Sequence, residues 1–431
     1  MFKAIANVFK IGDLRRKIIF TLTMLIVYRI GTFIPIPGSD SDVLQFQGEA
    51  SAFGFLDTFG GGALSNFSIF AMGVFPYITA SIVVQLLRMD VVPKFTEWSK
   101  QGEQGRRKLA QFTRYFTVVL AFIQAIAMSV GFNAQFEGLI PDPNIATFLL
   151  IAVIMTAGTT FLMWLGEQIT AKGVGNGISI MIFAGIVAGI PNGLNQIYAT
   201  QIEGAGEQLF MGIITILLLG LAILLIIVGI VFVQQALRKV PIQYAKRVVG
   251  RQSTAGAQST HLPLKVNSAG VIPVIFAMAL FIFPPTVASF LGEDNPVAQW
   301  VINNFDYTQP VGAFFYIALI IAFTYFYTFV QVNPETMAEN LKKQGGYVPG
   351  IRPGKTTELY IRRILYRLTF VGALFLATVA ILPVFFTTQL GLPETIQIGG
   401  TGLLIAVGVA LDTMKQIEGQ MIKRSYTGFI R

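Results

Sequence analysis

The chain has 431 residues, of which 54% are hydrophobic and only 12% are charged. A soluble domain of this length would carry about twice that charged fraction, so the composition indicates an integral membrane protein. Cysteine is absent, which excludes disulfides, thiol catalysis and cysteine metal sites, and the net charge of +9 is informative only through its distribution along the chain.

The amino end, MFKAIANVFKIGDLRRK, predicts an amphipathic helix on the cytoplasmic face of a membrane. Its apolar side chains recur at helical spacing with bases between them: Phe2, Ile5, Val8 and Phe9. The apolar run that follows, 18–36, contains Arg29 and ends in FIPIPG without a small-residue cleavage site. We therefore interpret it as a retained membrane span and not as a cleaved signal.

Ten apolar runs are candidate spans, since a bilayer core of roughly 30 Å needs about 20 residues per helix. They lie at 18–36, 68–87, 113–132, 146–166, 178–190, 210–233, 268–290, 311–332, 368–386 and 399–414. The fifth is short for a span. Ten spans divide into two sets of five, and the odd number inverts the second set, an arrangement that often builds a transport path. This parity predicts halves at 1–190 and 191–431, without support from internal sequence similarity.

Residues 54–70, GFLDTFGGGALSNFSIF, interrupt the pattern between the first two spans. The segment is apolar enough to avoid water, but the glycine tract 60–62 makes it a poor spanning helix. Its surroundings carry acids and no base, since Lys and Arg are absent from 31–87. We expect a short segment that enters the membrane without crossing it.

The basic residues predict the orientation of the chain. Bases lie in the even connections and at both ends, whereas the odd connections carry acids only. Ten spans with this alternation place both termini in the cytoplasm and the segment 54–70 on the outer side. Arg29, inside the first span, is the one base that this rule does not explain.

Catalytic motifs are not found in the sequence. His261, the single histidine, lies in QSTHLPLK beside no acid, and no HExxH occurs. The glycine-rich stretches 60–62 and 173–177 lack the preceding strand and the following Lys-Ser/Thr of a phosphate-binding loop. We therefore predict no enzyme activity, no cofactor and no metal site.

Transport remains, and two classes compete. An ion-coupled transporter for a small solute keeps ionisable groups near the bilayer centre and needs a pocket of converging polar groups. The runs from 68 to 411 hold essentially no such groups. This favours a passive conduit for something large and variable, with the secondary transporter as the alternative.

Eight stretches resemble the SecY family, the channel subunit of the bacterial protein-conducting translocon. They are FIPIPG (33–38), SIFAMGVFPYITASIVVQLL (68–87), GEQGRRKLAQFTRY (102–115), LMWLGEQIT (162–170), GNGISIMIFAGIVAG (175–189), YAKRVVGR (244–251), QSTHLPLKVNSAGVIPVIFA (258–277) and NLKKQGGYVPGIRPGK (340–355). The resemblance runs from end to end.

The resemblance implies an all-α polytopic fold in the bacterial cytoplasmic membrane, with two inverted five-helix halves around a central pore. It implies a passive conduit for secretory polypeptides that also releases transmembrane segments sideways into the lipid. The implied partners are SecE and SecG-like small subunits, the SecA ATPase, the ribosome, signal sequences, nascent polypeptides and membrane lipids.

A plug at about 54–67 and a pore ring are also implied by the resemblance. The plug residues are Phe55, Leu56, Asp57, Thr58, Phe59, Gly60, Gly61, Gly62, Ala63 and Leu64. The ring residues are Val74, Ile78, Ile182, Ile186, Ile275 and Ile405, which we call the collar. Within each of the first two pairs, a spacing of four puts both side chains on one helix face. The alternatives are a fixed re-entrant cap and ordinary core aliphatics.

A lateral gate is implied between the second span and the seventh and eighth, with Thr79, Gln85 and Asn267 as its polar residues. Simple hydrogen bonding without gating is the alternative. Two long basic connections, 235–267 and 333–367, would dock the ribosome and SecA through Lys246, Arg247, Arg251 and Arg352. The alternative for these loops is positive charge that serves topology alone.

Overall fold

The computed structural model describes residues 11–40, 43–44, 57–88, 91–136, 138–199, 202, 209–244, 260–288, 295–306, 309–390 and 395–427. Several predicted features lie outside these residues. They are the amphipathic amino-terminal helix, the plug residues Phe55 and Leu56, and the loop bases Lys246, Arg247 and Arg251.

Each of the ten predicted spans corresponds to one helix. These are α1 (Gly12–Gly31), α2 (Phe75–Leu87), α4 (Glu103–Gln135), α5 (Ile145–Lys172), α6 (Gly177–Tyr198), α7 (Leu209–Gln235), α8 (Ile272–Ala288), α10 (Pro310–Gln331), α12 (Lys355–Leu390) and α13 (Thr395–Thr427). Shorter helices lie between them: α3 (Pro93–Lys100), α9 (Pro296–Asn304) and α11 (Pro334–Lys343). Among the described residues, six helices are long and apolar enough to cross a membrane, and α2 and α8 are shorter but also apolar.

Several helices begin or end away from the predicted bounds, and two of these differences bear on the site. The second span was expected from residue 68, but α2 begins at Phe75 because the preceding turns include Gly73 at φ 55° and Pro76 occupies its first turn. Proline presets the backbone for a helix start and Gly73 supplies the reversal. The fifth span extends through Pro191 to Tyr198, so the predicted division at 190/191 lies inside α6.

The helices pack as two groups of five in chain order. In the first group, α4 lies against α2 and α5, and α5 lies against α1 and α6. In the second, α10 lies between α8 and α12, and α13 packs on α12 and α7. The extensive contacts between the groups run through two helix pairs, α2 with α8 and α6 with α13. The groups are therefore joined along two seams.

A small sheet of order β2-β1-β3 accompanies the helices and was not predicted. Strand β1 (Leu237–Tyr244) pairs antiparallel with β2 (Thr260–Lys265) and with β3 (Gly346–Tyr347). Val240 and Ile242 alternate with exposed residues of β1, and their buried side chains pack with Leu341 and Ile361. The sheet therefore joins two basic connections that the sequence presents as separate loops.

Candidate functional site

A cavity of about 520 Å³ lies among α2, α5, α6 and α8. Its polar lining includes Gln85, near the carboxyl end of α2, and Asn176, directly before α6. Ile78 and Ile182 line it about two turns further into each helix, since a turn takes about 3.6 residues. The cavity therefore changes from polar to apolar along these two helices.

One ion pair lies in the cavity wall. Arg114 of α4 donates from Nε to the Glu167 carboxylate of α5 over 2.7 Å, and both residues line the cavity. The side chains are 49% and 29% exposed, so the pair is partly hydrated. The pair adds two charged groups, but no net charge, to the polar part of the cavity wall.

The collar residues are all buried in one hydrophobic cluster. Their exposed fractions run from 0% for Ile405 to 7% for Ile275. They come from the start of α2 and from α6, α8 and α13, so both helix groups contribute. Ile78, Ile182 and Ile275 line the cavity, and a Cβ at Gly402 of α13 would lie 3.3 Å from Ile186. The structure thus brings the predicted residues into one apolar zone beside the cavity.

The described part of the predicted plug, residues 57–67, is compact. It has a single helical turn at 57–60, followed by turns with Gly61 and Gly62 at φ 68° and 85°. The Asp57 carboxylate accepts hydrogen bonds from the backbone N–H groups of Leu64 and Ser65, at 2.9 and 2.8 Å, and from the Ser65 hydroxyl. The hydrogen bonds of Asp57 therefore hold the two ends of the glycine-containing turn together. We call residues 57–67 the plug segment.

The plug segment shares the collar's hydrophobic cluster and contacts residues next to the collar in sequence. Phe59, 5% exposed, and Ala63 belong to the same buried cluster as the six collar residues. The Phe59 ring meets Phe75 edge to face with 6.0 Å between centroids. A Cβ on Gly185 of α6 would lie only 2.4 Å from the Phe59 carbonyl oxygen. The α6 backbone therefore touches the segment one residue before Ile186.

Two neighbouring residues of α1 bind the glycine tract. The Tyr28 hydroxyl donates to the Gly60 carbonyl over 2.7 Å, and the Arg29 guanidinium donates to the Gly61 carbonyl. Sequence reasoning missed both contacts, although Arg29 stood out as a base inside a span. The far end of the segment is fixed as well, because Ile36 N–H donates to the Phe67 carbonyl over 3.0 Å.

The predicted gate residues hydrogen-bond within their own segments. The Thr79 hydroxyl donates to the Phe75 carbonyl over 3.1 Å, and the Gln85 amide donates to the Ser81 hydroxyl over 3.2 Å. The Asn267 amide donates to the Gly270 carbonyl over 2.9 Å. In the described part of the chain, the side-chain oxygens of Gln85 and Asn267 are buried without a hydrogen-bond partner.

The structure therefore shows no polar bond across the α2–α8 seam between these residues. Asn267 precedes α8 and lies beside α12, where a Cβ on Gly372 would be 3.6 Å from its Cα. The side chains that α2 and α8 contribute to the shared cluster are apolar, Ile78, Ile82 and Ile275 among them.

Arg352 is exposed on a tight turn directly before α12. Ile351 N–H donates to the Val348 carbonyl over 3.0 Å, and the Thr357 hydroxyl donates to the Arg352 carbonyl over 2.9 Å. Within the described ranges, no carboxylate pairs with its guanidinium. His261 is also exposed, on β2 opposite Pro241.

The long apolar helices define a polytopic membrane protein, in which a cavity adjoins the buried apolar collar and the plug segment shares the collar's cluster. The chain belongs to the SecY family, whose model matches residues 68–414. The Protein translocase subunit SecY of Halalkalibacterium halodurans is 74% identical over 431 residues and is covered completely, as is this chain. This confirms the family predicted from the sequence.

Solved channels share the fold. A structure described as that of a protein-conducting channel aligns with a TM-score of 0.65 at 20% identity, covering 95% of this chain and 93% of the other. Canine Sec61, from the ribosome-channel complex of the endoplasmic reticulum, aligns with a TM-score of 0.60 at 18% identity, covering 95% and 93%. The predicted channel fold is thereby confirmed.

Proposed function

We propose that this chain is the central pore-forming subunit of a protein-conducting channel in the bacterial cytoplasmic membrane. It passes unfolded secretory polypeptides across the membrane and releases transmembrane segments sideways into the lipid. Membership of a family whose relatives are named as translocase subunits supports the proposal. Both termini face the cytoplasm, an orientation that the distribution of bases supports.

The observation that carries the proposal is the collar with the plug segment packed on it. A ring of stiff β-branched and apolar side chains excludes water and therefore ions, and it offers no charge that would hold a passing peptide. The polar cavity leads to the collar, and Phe59 and Ala63 close it. A segment with a glycine hinge can leave this position when a polypeptide enters.

The secondary transporter explains the site less well. Coupled carriers place ionisable groups on the helices that line the substrate pathway. Of the helices that line the cavity, α2, α6, α8 and α10 contain no Asp, Glu, Lys, Arg or His, and the charged residues that α4 and α5 add to its lining are Arg114 and Glu167. Arg114 and Glu167 are already paired with each other in its wall. A passive conduit needs no further ionisable groups in this lining. The proposed role includes no catalysis and no cofactor.

The two helix groups are proposed as the halves of the channel, with their division placed after Tyr198 at the end of α6. The α2–α8 seam opens towards lipid, and the α6–α13 seam serves as the hinge. Thr79, Gln85 and Asn267 contribute through local hydrogen bonds and not through a bond across the seam. The Gln85 side-chain oxygen is buried without a hydrogen-bond partner in the described structure, and it becomes accessible to a signal sequence when the seam opens.

The driving force comes from partners in this proposal. SecA docks at Arg352, and the ribosome docks at Lys246, Arg247 and Arg251. Canine Sec61, which is described in a ribosome-channel complex, is structurally similar to this chain, and this similarity supports the ribosome as a partner. SecE and SecG-like small subunits complete the complex, and membrane lipids receive released segments.

Reconstitution tests the proposal. Proteoliposomes that contain the chain with its small subunits should protect a secretory precursor from added protease only when SecA and ATP are present. A small-solute transporter would instead accumulate a solute without SecA and leave the precursor fully digested, and that result would refute the proposal. A disulfide between one cysteine introduced on α2 and one on α8 should stop precursor transport while leaving the complex assembled.

A further inference from the structure

An arginine inside the first span has a specific partner. Arg29 donates to the Gly61 carbonyl, and its guanidinium stacks on Phe33 with 5.0 Å between Cζ and the ring centroid. The preceding residue, Tyr28, is only 2% exposed and donates to the Gly60 carbonyl over 2.7 Å. Two successive residues of α1 therefore hold two successive carbonyls of the plug segment.

The backbone of the tract is clamped from the opposite side by α6. Gly61 has φ 68°, and a Cβ there would lie 2.8 Å from the Arg29 Nη1 atom and 3.0 Å from the Gly185 Cα. Only a residue without a side chain fits between the guanidinium and the α6 backbone. The glycine tract is therefore shaped to receive the arginine as well as to bend.

The charge on Arg29 is balanced in an unusual way. In the part of the chain that the structure describes, it forms no ion pair. Asp57, the nearby acid of the plug segment, accepts hydrogen bonds from Leu64 and Ser65 instead. A charged group in an apolar setting is unfavourable unless a polar partner meets it, so a peptide carbonyl has taken that role.

Arg29 is partly exposed, and its bond to Gly61 is strongest while little water reaches the two groups. A charge-assisted hydrogen bond weakens when water enters, because the local dielectric constant rises and water can take the place of either partner. A polypeptide that brings water past the collar would therefore weaken the contact, and removal of water would restore it.

We propose that Arg29 and Tyr28 form a latch that keeps the plug segment closed in the dry pore and releases it when the pore is hydrated. Arg29 is a positioning residue and contacts no transported chain in the closed state. The inference rests on the proposed function of residues 57–67 as a plug.

Ion conductance of the purified complex in planar bilayers is the test. Arg29→Leu removes a charge-assisted bond and should raise the open fraction roughly 10- to 100-fold. Tyr28→Phe removes a neutral bond and should raise it roughly 2- to 10-fold. Arg29→Lys should leak less than Arg29→Leu, because lysine keeps the charge but loses the planar fork of donors.

Matched variants serve as controls for these effects. Tyr316→Phe removes another buried tyrosine hydroxyl, one that has no hydrogen-bond partner in the described structure, and should leave the conductance unchanged. Arg16→Leu removes an exposed base from the same helix as Arg29 and should also stay tight. If Arg29→Leu cannot be purified as an intact complex, Arg29→Gln, which keeps a neutral donor, is measured instead and should leak.

Deletion of residues 57–65 distinguishes a failure of the proposed latch from a failure of the proposed plug. If the deletion leaks and adding Arg29→Leu to it raises conductance no further, the two act through one contact and the latch is supported. If the deletion leaks but neither Arg29→Leu nor Arg29→Gln alone does, the latch is refuted and the plug stands. If the deletion itself is tight, the proposed plug fails and the latch fails with it.

Discussion

Substitution of Gly185 by alanine should push the plug segment off the collar. A Cβ at this position would lie 2.4 Å from the Phe59 carbonyl oxygen and 3.1 Å from the Gly61 nitrogen. Carbon–oxygen contacts below 3.0 Å essentially do not occur, so the two atoms must separate by about 0.6 Å or more. Both neighbours are backbone atoms, which cannot rotate away as a side chain would.

The expected size of the effect follows from the penalty for overpacking. Forcing an extra methyl group into a filled contact costs about 1–3 kcal/mol, and this penalty falls on the closed state alone. Since about 1.4 kcal/mol is a factor of ten, the open fraction should rise between about fivefold and about 150-fold. Alanine favours a helix more than glycine does, so α6 itself is not weakened by the change.

Ion conductance in planar bilayers measures the change, and the same helix supplies the control. Gly189 lies one turn further along α6, and a Cβ there would be 4.0 Å from the Thr58 methyl group, an ordinary contact. Gly189→Ala should therefore keep the conductance of the unmodified protein, whereas Gly185→Ala should raise it. Equal, wild-type conductance of both variants would refute the inferred packing of the plug segment against α6.

Three further predictions concern the collar and the docking loops. Ile275→Gly with Ile405→Gly opens a gap in the collar and should increase ion leakage and relax signal-sequence selectivity; a tight, selective double variant would count against the collar. Arg352→Glu should insert and assemble normally but lose SecA-driven precursor transport, and normal transport would reduce its loop to a topology signal. Charge reversal of the three loop bases Lys246, Arg247 and Arg251 should weaken ribosome binding. In the unmodified protein this binding should fall steeply as the salt concentration rises, and binding that does not depend on salt would exclude a phosphate contact.

The spans were predictable because burial in lipid demands long apolar runs, and such runs are visible residue by residue. The start of α2 was not placed correctly, since the residues before Phe75 are as apolar as the helix itself. Gly73 and Pro76 were the available signal there. The continuation of α6 through Pro191 was also missed, because proline ends most helices outside a membrane.

Contacts between distant segments could not be predicted from local patterns. Gln243 and Tyr347 pair across the sheet although 104 positions separate them. The contact between Arg29 and Gly61 was equally unpredictable. A base inside a span indicates that a polar partner exists, but the local sequence does not show which residue it is. The collar was placed through family resemblance, since buried isoleucines occur throughout such a protein and their pattern alone does not mark a passage.

The most direct test of the central claim asks whether a transported chain passes the collar. A photoreactive amino acid at Ile182 should cross-link to a secretory polypeptide that is stalled halfway through the assembled channel. The control position is Leu225 of α7, which is 61% exposed on the surface of the helix bundle and should give no cross-link. Cross-linking at Ile182 alone is the result that this account predicts. Cross-linking at Leu225 with none at Ile182 would show that the polypeptide takes another route and would contradict it.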